Sequence, residues 1–292
     1  MRARPLRTKI EEVRQALRFH GGVVNLCAAA LAVRLAGVEI PSRRLRLLVY
    51  RTMYGKKYPA LDEGELERPL GEYRSVGALF ARGVRPELRP ISAGKDQFLC
   101  PCDGKVQEFG RVEEGQVLTV KGVGYTLDAL LPGLDSRRFH GGHFGVFFLS
   151  PNDCHRVVSP REARVEEVVH VPGYRLLVHP PYQRAEYPVF ALNERVVLRL
   201  ATPLGACALV LVAGWGVGNI TLRFDPTFRP GPRRVTRKAY AAPPNARAGE
   251  WIATFGLGST VILITEPAGR VTTHVSRDEK VKYGQPVFTF GR

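Results

Sequence analysis

Three short stretches hold residues of types that can do covalent or proton-transfer chemistry. Gly258, Ser259 and Thr260 lie in FGLGSTVILI (residues 255–264), a glycine-punctuated turn that runs into a continuous apolar strand. Asp103 stands in CPCDGKV, and Asp153 and His155 stand in LSPNDCHRVVSP. A phosphate-binding loop needs G-x-x-x-x-G-K-[ST], but no lysine precedes Ser259. A hydrolase elbow needs G-x-S-x-G on a strand-to-helix turn, whereas Gly258 directly precedes Ser259 and a strand follows it. A Gly-Ser step before a rigid strand does suit attack by the serine Oγ on the preceding carbonyl, because glycine removes Cβ crowding and permits strained backbone. The serine would then cut its own chain. An ordinary turn is the other reading that the triplet allows.

The remaining polar candidates fit acid–base work. Histidine is the usual proton carrier near neutral pH. In a strand, Asp153 and His155 point to one face, where the carboxylate could orient the imidazole. Taken alone, Asp103-Gly104 is a turn signal and His155 a structural histidine. The five cysteines (Cys27, Cys100, Cys102, Cys154, Cys207) are odd in number and lack framework spacing. Cys100-Pro-Cys102 lacks the two-residue spacer of zinc and redox motifs, so no metal site is expected and a reducing compartment fits.

These residues need a scaffold, and from about residue 76 the sequence reads as short β-branched or aromatic runs bounded by Gly, Pro, Asn or Asp. Among them are KVQEFGRV, HFGVFFLS, ARVEEVVHV, RVVLRLATPLGACALVLVAG and TVILIT. A short helical turn at TLDALL and an exposed loop over DPTFRPGPRRVTRKAYAAPPNARAGE complete the pattern. Helices do not alternate with strands, which disfavours a doubly wound fold. The expected architecture is α+β: a β-rich catalytic domain at 76–292, preceded by a basic, partly apolar helical region at 1–75.

That N-terminal region holds much of the charge. The chain of 292 residues carries +16 overall, and residues 1–57 contain 13 Lys/Arg against 3 Glu. GGVVNLCAAALAVRLAG is too short and too interrupted to span a bilayer. In PSRRLRLLVYRTMYG, Ser42 is the N-cap, Leu45, Leu48, Val49 and Met53 form a stripe, and Gly55 is the stop. Helices with one basic and one apolar side lie in anionic membrane interfaces; a basic, solvated helix packed on the domain is the other reading that the pattern allows. Nucleic acid is disfavoured, because the aromatic residues do not interleave with the basic ones in a stacking motif.

Taken in order, eight stretches resemble the phosphatidylserine decarboxylases, pyruvoyl-dependent and self-processing membrane enzymes. They are LFARGVRPELRPI, CPCDGKV, VKGVGYTLDALLPG, LSPNDCHRVVSP, VPGYRLLV, NERVV, VAGWGVGNI and GEWIATFGLGSTVILI. The resemblance implies that Ser259 attacks the Gly258 carbonyl and becomes a covalent pyruvoyl group, leaving chains 1–258 and 259–292 as a heterodimer. It further implies that Asp103 helps to activate the serine, that His155 serves decarboxylation, and that Thr260 completes the cleavage motif. The implied substrate is phosphatidylserine, turned over to phosphatidylethanolamine and CO2 at the cytoplasmic side of the cell membrane by a peripheral protein, with a homodimer expected by analogy.

Two positions depart from the family pattern. The second histidine of that pattern, which serves self-cleavage, falls at Val158, and a tyrosine is replaced by Cys154. The sequence leaves three options: another histidine reaches in, with His143 the nearest on the preceding strand; Asp103 acts directly or through water; or the chain is an unprocessed, inert membrane-binding paralogue.

Overall fold

A computed structural model describes residues 6–55, 61–92, 94–113, 118–179, 182–184, 186–215, 220–229, 234–256 and 259–291. Its helices are α1 (Leu6–Phe19), α2 (Gly22–Ala36), α3 (Arg43–Gly55), α4 (Val76–Phe80), α5 (Leu127–Leu130) and α6 (Val189–Leu192). Local chemistry sets several of their ends. Ser42 Oγ accepts from Leu45 N at 3.3 Å and opens α3, and Thr126 Oγ1 accepts from Ala129 N at 3.2 Å and opens α5. Gly21 and Gly22, with φ of 81° and 68°, make the corner between α1 and α2.

The strands begin with β1 (Gln97–Leu99), β2 (Gly104–Arg111), β3 (Leu118–Val120), β4 (Val123–Tyr125), β5 (His143–Leu149), β6 (Arg156–Val158), β7 (Ala163–Val171), β8 (Arg195–Thr202) and β9 (Gly205–Ala213). They continue as β10 (Thr221–Leu222), β11 (Thr236–Ala239), β12 (Asn245–Ala246), β13 (Trp251–Thr254), β14 (Ser259–Thr265), β15 (Val271–Thr273), β16 (Lys280–Val281) and β17 (Pro286–Phe290). The main sheet is antiparallel in the order β11-β7-β8-β9-β14-β5-β2-β16, with β12 also on β7. β11 and β12 arise within the proline- and arginine-rich stretch expected to be a loop. Its TRKA run pairs along β7 from His170 to Glu167.

The long strands have apolar residues on both faces, so the sheet is covered on both sides. On one face, Phe147, Leu149, Leu209, Leu211, Val261 and Leu263 pack under the small sheets β10-β13-β6 and β1-β17-β15. On the other, Val146, Val210, Val212, Ile262 and Ile264 pack under α5, α6 and the β3–β4 hairpin. α1 joins that second layer through Ala16. At its end the buried His20 accepts from Leu177 N at 3.2 Å and meets the Tyr187 hydroxyl at 3.2 Å.

A separate cluster of Tyr50, Tyr54, Leu66, Leu70, Tyr73 and Leu79 holds α3 against the segment that follows it. The side of α3 that packs inward is therefore its tyrosine side. The Leu45, Leu48 and Met53 stripe faces outward, 48%, 65% and 47% exposed. No single helix among the described residues is long and apolar enough to cross a bilayer.

Asn193 joins the site end of the sheet to the loop over it. Its side chain accepts from Leu176 N at 3.0 Å and donates to Leu176 O at 2.9 Å and to Ala213 O at 2.8 Å. Neighbouring Arg195 is buried and donates to the carbonyls of Ala129, Leu130, Ala191 and Asn193. Asn193→Ala strands three buried backbone groups, at about 1–3 kcal/mol for each one left unsatisfied. We expect a loss of at least about 2 kcal/mol in urea unfolding; a change under about 0.5 kcal/mol would show that the loop is not held by this residue.

Candidate active site

Ser259 opens β14 near the middle of the main sheet, with Ala213 of β9 on one side and Leu149 of β5 on the other. Strand alternation turns its side chain to the same face as Val261 and Leu263, toward the layer of β6 and β13. Ser259 is fully buried, and its Oγ has no hydrogen-bond partner among the described residues. Thr260 is equally buried and unpartnered, but its hydroxyl points to the opposite face, with Ile262. Gly258 lies outside the described residues.

His155 immediately precedes β6 in the layer that Ser259 faces. Its carbonyl accepts from Phe255 N at 3.1 Å, which places Phe255, four residues before Ser259, beside it. Residues 153–155 are not a strand, and this changes the expected pairing with Asp153. The Asp153 carboxylate accepts from Ser150 N at 2.7 Å, while His155 Nδ1 meets the Asp153 backbone carbonyl at 2.9 Å. A carbonyl only accepts, so Nδ1 carries the proton and Nε2 presents a lone pair. Nε2 is buried with no partner among the described residues. Burial, reinforced by the nearby Arg82 charge, lowers the imidazole to about 3, and the Phe80 ring lies 3.9 Å away. The Asp153 carboxyl is pushed up by burial.

Asp103 is held by a guanidinium and a backbone N–H rather than by an imidazole. Its carboxylate accepts from Arg89 Nε at 3.0 Å, Arg89 Nη2 at 2.5 Å and Tyr283 N at 2.9 Å. Arg89 also reaches Glu65 at 2.9 Å, and Lys282 closes the chain on Glu65 at 2.7 Å. Burial opposes the Glu65 charge, yet the bonds from Arg89 and Lys282 hold its carboxyl at about 2. A hollow of ≈ 220 Å³ here is lined by Asp103, Asp153, Arg82 and Lys280 among others.

Val158 is a packed, buried residue whose backbone N–H donates to Pro101 O at 2.8 Å. His143 does not take its place. It lies six residues from Leu149, the β5 partner of Ser259, which is roughly 20 Å along the strand. There it meets Thr265 and the rings of Phe288 and Phe290.

The sequence reading missed a second polar cluster at this end of the sheet. Glu194 accepts from Arg175 at 2.8 Å and meets His170 Nε2 at 3.1 Å beside a cavity of ≈ 970 Å³. The NERVV stretch was the available signal. Its Asn and Arg serve the backbone, and its Glu faces the cavity.

The sequence model of the family described as phosphatidylserine decarboxylase matches residues 76–289. A phosphatidylserine decarboxylase proenzyme of Anaeromyxobacter sp. (strain K) is 37% identical over 274 residues, covering 91% of each chain. Proenzymes of the same description from Myxococcus xanthus (strain DK1622) and Bordetella pertussis (strain Tohama I) are 35% and 34% identical, over 75% and 80% of this chain and 79% and 80% of their own. This chain belongs to the phosphatidylserine decarboxylase family.

The buried imidazoles make the fold acid-sensitive. Burial lowers His20 to about 4 and His155 to about 3 from an ordinary 6.5. Below about pH 6.5 the unfolded chain therefore binds protons that the folded chain refuses until pH reaches about 3–4, so stability falls as pH falls through that window. Denaturant midpoints of a Ser259→Ala chain should hold steady above about pH 7 and drop between about pH 6.5 and 4, with a smaller drop in His155→Phe. A midpoint that stays level through the window would show that these imidazoles protonate in the native state.

Proposed function

We propose that this chain is a self-processing enzyme that decarboxylates phosphatidylserine to phosphatidylethanolamine and CO2. The observation that carries the reading is the pair of buried atoms Ser259 Oγ and His155 Nε2, neither partnered among the described residues, set at one end of the main sheet in facing layers. An unpaired buried hydroxyl costs about 1–3 kcal/mol, so its retention in a central strand asks for a function.

Processing begins when Ser259 Oγ attacks the Gly258 carbonyl and gives its proton to His155 Nε2, the negative charge that develops on the carbonyl oxygen offsetting the burial that keeps the resting imidazole neutral. The peptide C–N bond breaks as the ester C–O bond forms, and the amine of residue 259 takes the proton. Elimination of the ester and hydrolysis with loss of ammonia convert residue 259 to pyruvoyl. When present, that group supplies the electron sink for loss of CO2. A bare hydroxyl with no competing donor suits residue 259 as its precursor. His155 Nε2 then carries the proton needed at the carbon that loses CO2.

Geometry favours His155 for the proton that Val158 cannot take. It is neutral, its tautomer is fixed, and Nε2 is bare, whereas Asp103 is spent on Arg89 and Tyr283 N. Asp103 acts as a positioning residue that holds the 89 and 283 segments beside the β2 start. Intact mass should show a 34-residue fragment, 259–292, with a blocked N-terminus. Ser259→Ala should stay one chain of 32.4 kDa, His155→Gln should cut about 10²- to 10⁴-fold more slowly, and His143→Ala should cut at the native rate. An uncut native chain after long incubation would establish the inert reading of Val158.

Residues 1–75 form the membrane-associating region on this reading, with the protein peripheral on the cytoplasmic side of the cell membrane. Val23, Val24, Leu31 and Leu35 of α2 are 67%, 80%, 56% and 60% exposed, and Arg14 and Arg18 of α1, Arg34 of α2 and Arg43 and Arg44 of α3 are exposed as well. Apolar burial together with about 1 kcal/mol per interfacial cation supports adsorption to anionic lipid. Val23→Glu with Val24→Glu should weaken sedimentation with phosphatidylglycerol vesicles at least about tenfold. Equal sedimentation of variant and native chains would move the contact elsewhere.

A further inference from the structure

The larger cavity, ≈ 970 Å³, has no part in the self-cleavage just described. It lies at the reactive end of the sheet. Arg195 beside Glu194 pairs with Val212, next to Ala213, the β9 partner of Ser259. Thr254 on the cavity wall precedes Phe255, whose N–H is held by the His155 carbonyl. Across the cavity stand Ala29 and Ala30 of α2, the helix that exposes the apolar residues named above. The hollow therefore reaches from the lipid-facing helix toward the reacting residue.

Its charge is one-sided. Arg175, Arg223 and Arg229 line it, and the acidic lining residue, Glu194, is already taken by Arg175 and His170. Arg229 donates to the carbonyls of Pro226 and Phe228. Arg223 has no acidic partner among the described residues. Its guanidinium lies over the Trp251 ring, 4.5 Å from the centroid, and Arg156 lies over the same ring at 4.0 Å. Arg156 is neutralised by Glu67 at 2.8 Å, which leaves Arg223 as the un-neutralised cation on that ring. An aromatic face steadies a guanidinium while leaving its N–H fork free, and that fork matches the oxygens of a phosphate.

Resting on the decarboxylase reading, we propose that this cavity binds the phosphodiester of the glycerophospholipid substrate, with Arg223 as the principal anchor and Arg229 as the second. The phosphodiester lies only a few bonds from the reacting amine, so a site beside the Ser259 end can hold one while presenting the other. The acyl chains then leave past Ala29 and Ala30 along α2. Trp251 acts here as a positioning residue that keeps the Arg223 fork turned to the cavity.

The test uses the full-length Ser259→Ala chain, with Trp215→Phe so that Trp251 is the remaining indole of the two in the sequence. Trp251 emission is titrated with short-chain phosphatidylserine, with inorganic phosphate and with a diacylglycerol of the same chains. Saturation by the phospholipid, with half-saturation raised about tenfold or more by Arg223→Gln, supports the site. Equal half-saturation by diacylglycerol, or no effect of Arg223→Gln, overturns it. Inorganic phosphate that saturates at the same concentration as the lipid would assign the cavity to free phosphate and overturn the lipid source. In the processing chain, Arg223→Gln should put its loss on KM for phosphatidylserine, with Arg223→Lys partly restoring it. A loss confined to kcat overturns the anchor role. A native chain that releases no CO2 from phosphatidylserine overturns the decarboxylase reading itself, an outcome distinct from an active chain indifferent to Arg223.

Discussion

Burial of the Ser259 hydroxyl at the first position of a strand paired on both sides is the constraint on which the rest depends. β9 and β5 fix the backbone of residue 259 as firmly as any in the core. Alternation then decides which face the hydroxyl takes, and the small β6–β13 sheet decides what it meets there. Without those two layers the serine would be an ordinary turn residue in water. With them it is a polar atom in an apolar wall, and proton exchange needs a group brought in from the facing layer.

That facing layer is assembled from pieces far apart in sequence. LFARGVRPELRPI contributes Arg82 and Arg89, CPCDGKV contributes Asp103, and LSPNDCHRVVSP contributes His155. Arg82 donates to the Asn152 and Asp153 carbonyls, and the Asp153 carbonyl in turn holds the His155 ring. Arg89 ties Asp103 to Glu65. Guanidinium groups on buried carbonyls and carboxylates thus set the positions of the acid–base residues, in keeping with the planar fork of arginine.

Much of this was legible in the sequence. The β-rich body, the α2 and α3 helices, the Ser42 cap and the turn at Thr126 follow from local propensity, which the fold does not override. Ser259 and His155 stand out by residue type and setting. What escaped the reading depends on tertiary partners. Asp153 was expected to turn its carboxylate to His155, but the chain is not extended there and the backbone carbonyl does that work. His143 is near in sequence but far along its strand, because β14 and β5 run antiparallel. Leu45, Leu48 and Met53 of the α3 stripe do face outward, but the stripe did not show that Tyr50 and Tyr54, with Val49 beside them, are what hold the helix to the body through Tyr73. β11 arises from a segment with little strand character of its own because the edge of β7 offers it partners.

The place of β14 has a consequence for a chain cut before Ser259. The piece that begins there carries β14 inside the main sheet, β16 at its edge beside β2, and β15 and β17 in the small sheet with β1. Its strands are interleaved with those of the longer piece at three separate places, so the native contacts survive the break. The route back after full unfolding does not. The uncut chain refolds as one molecule at a rate independent of its concentration, whereas the two pieces must first find each other. Maturation would thus turn a reversible fold into a kinetically held one, with a lifetime set by the barrier to unzipping rather than by an equilibrium.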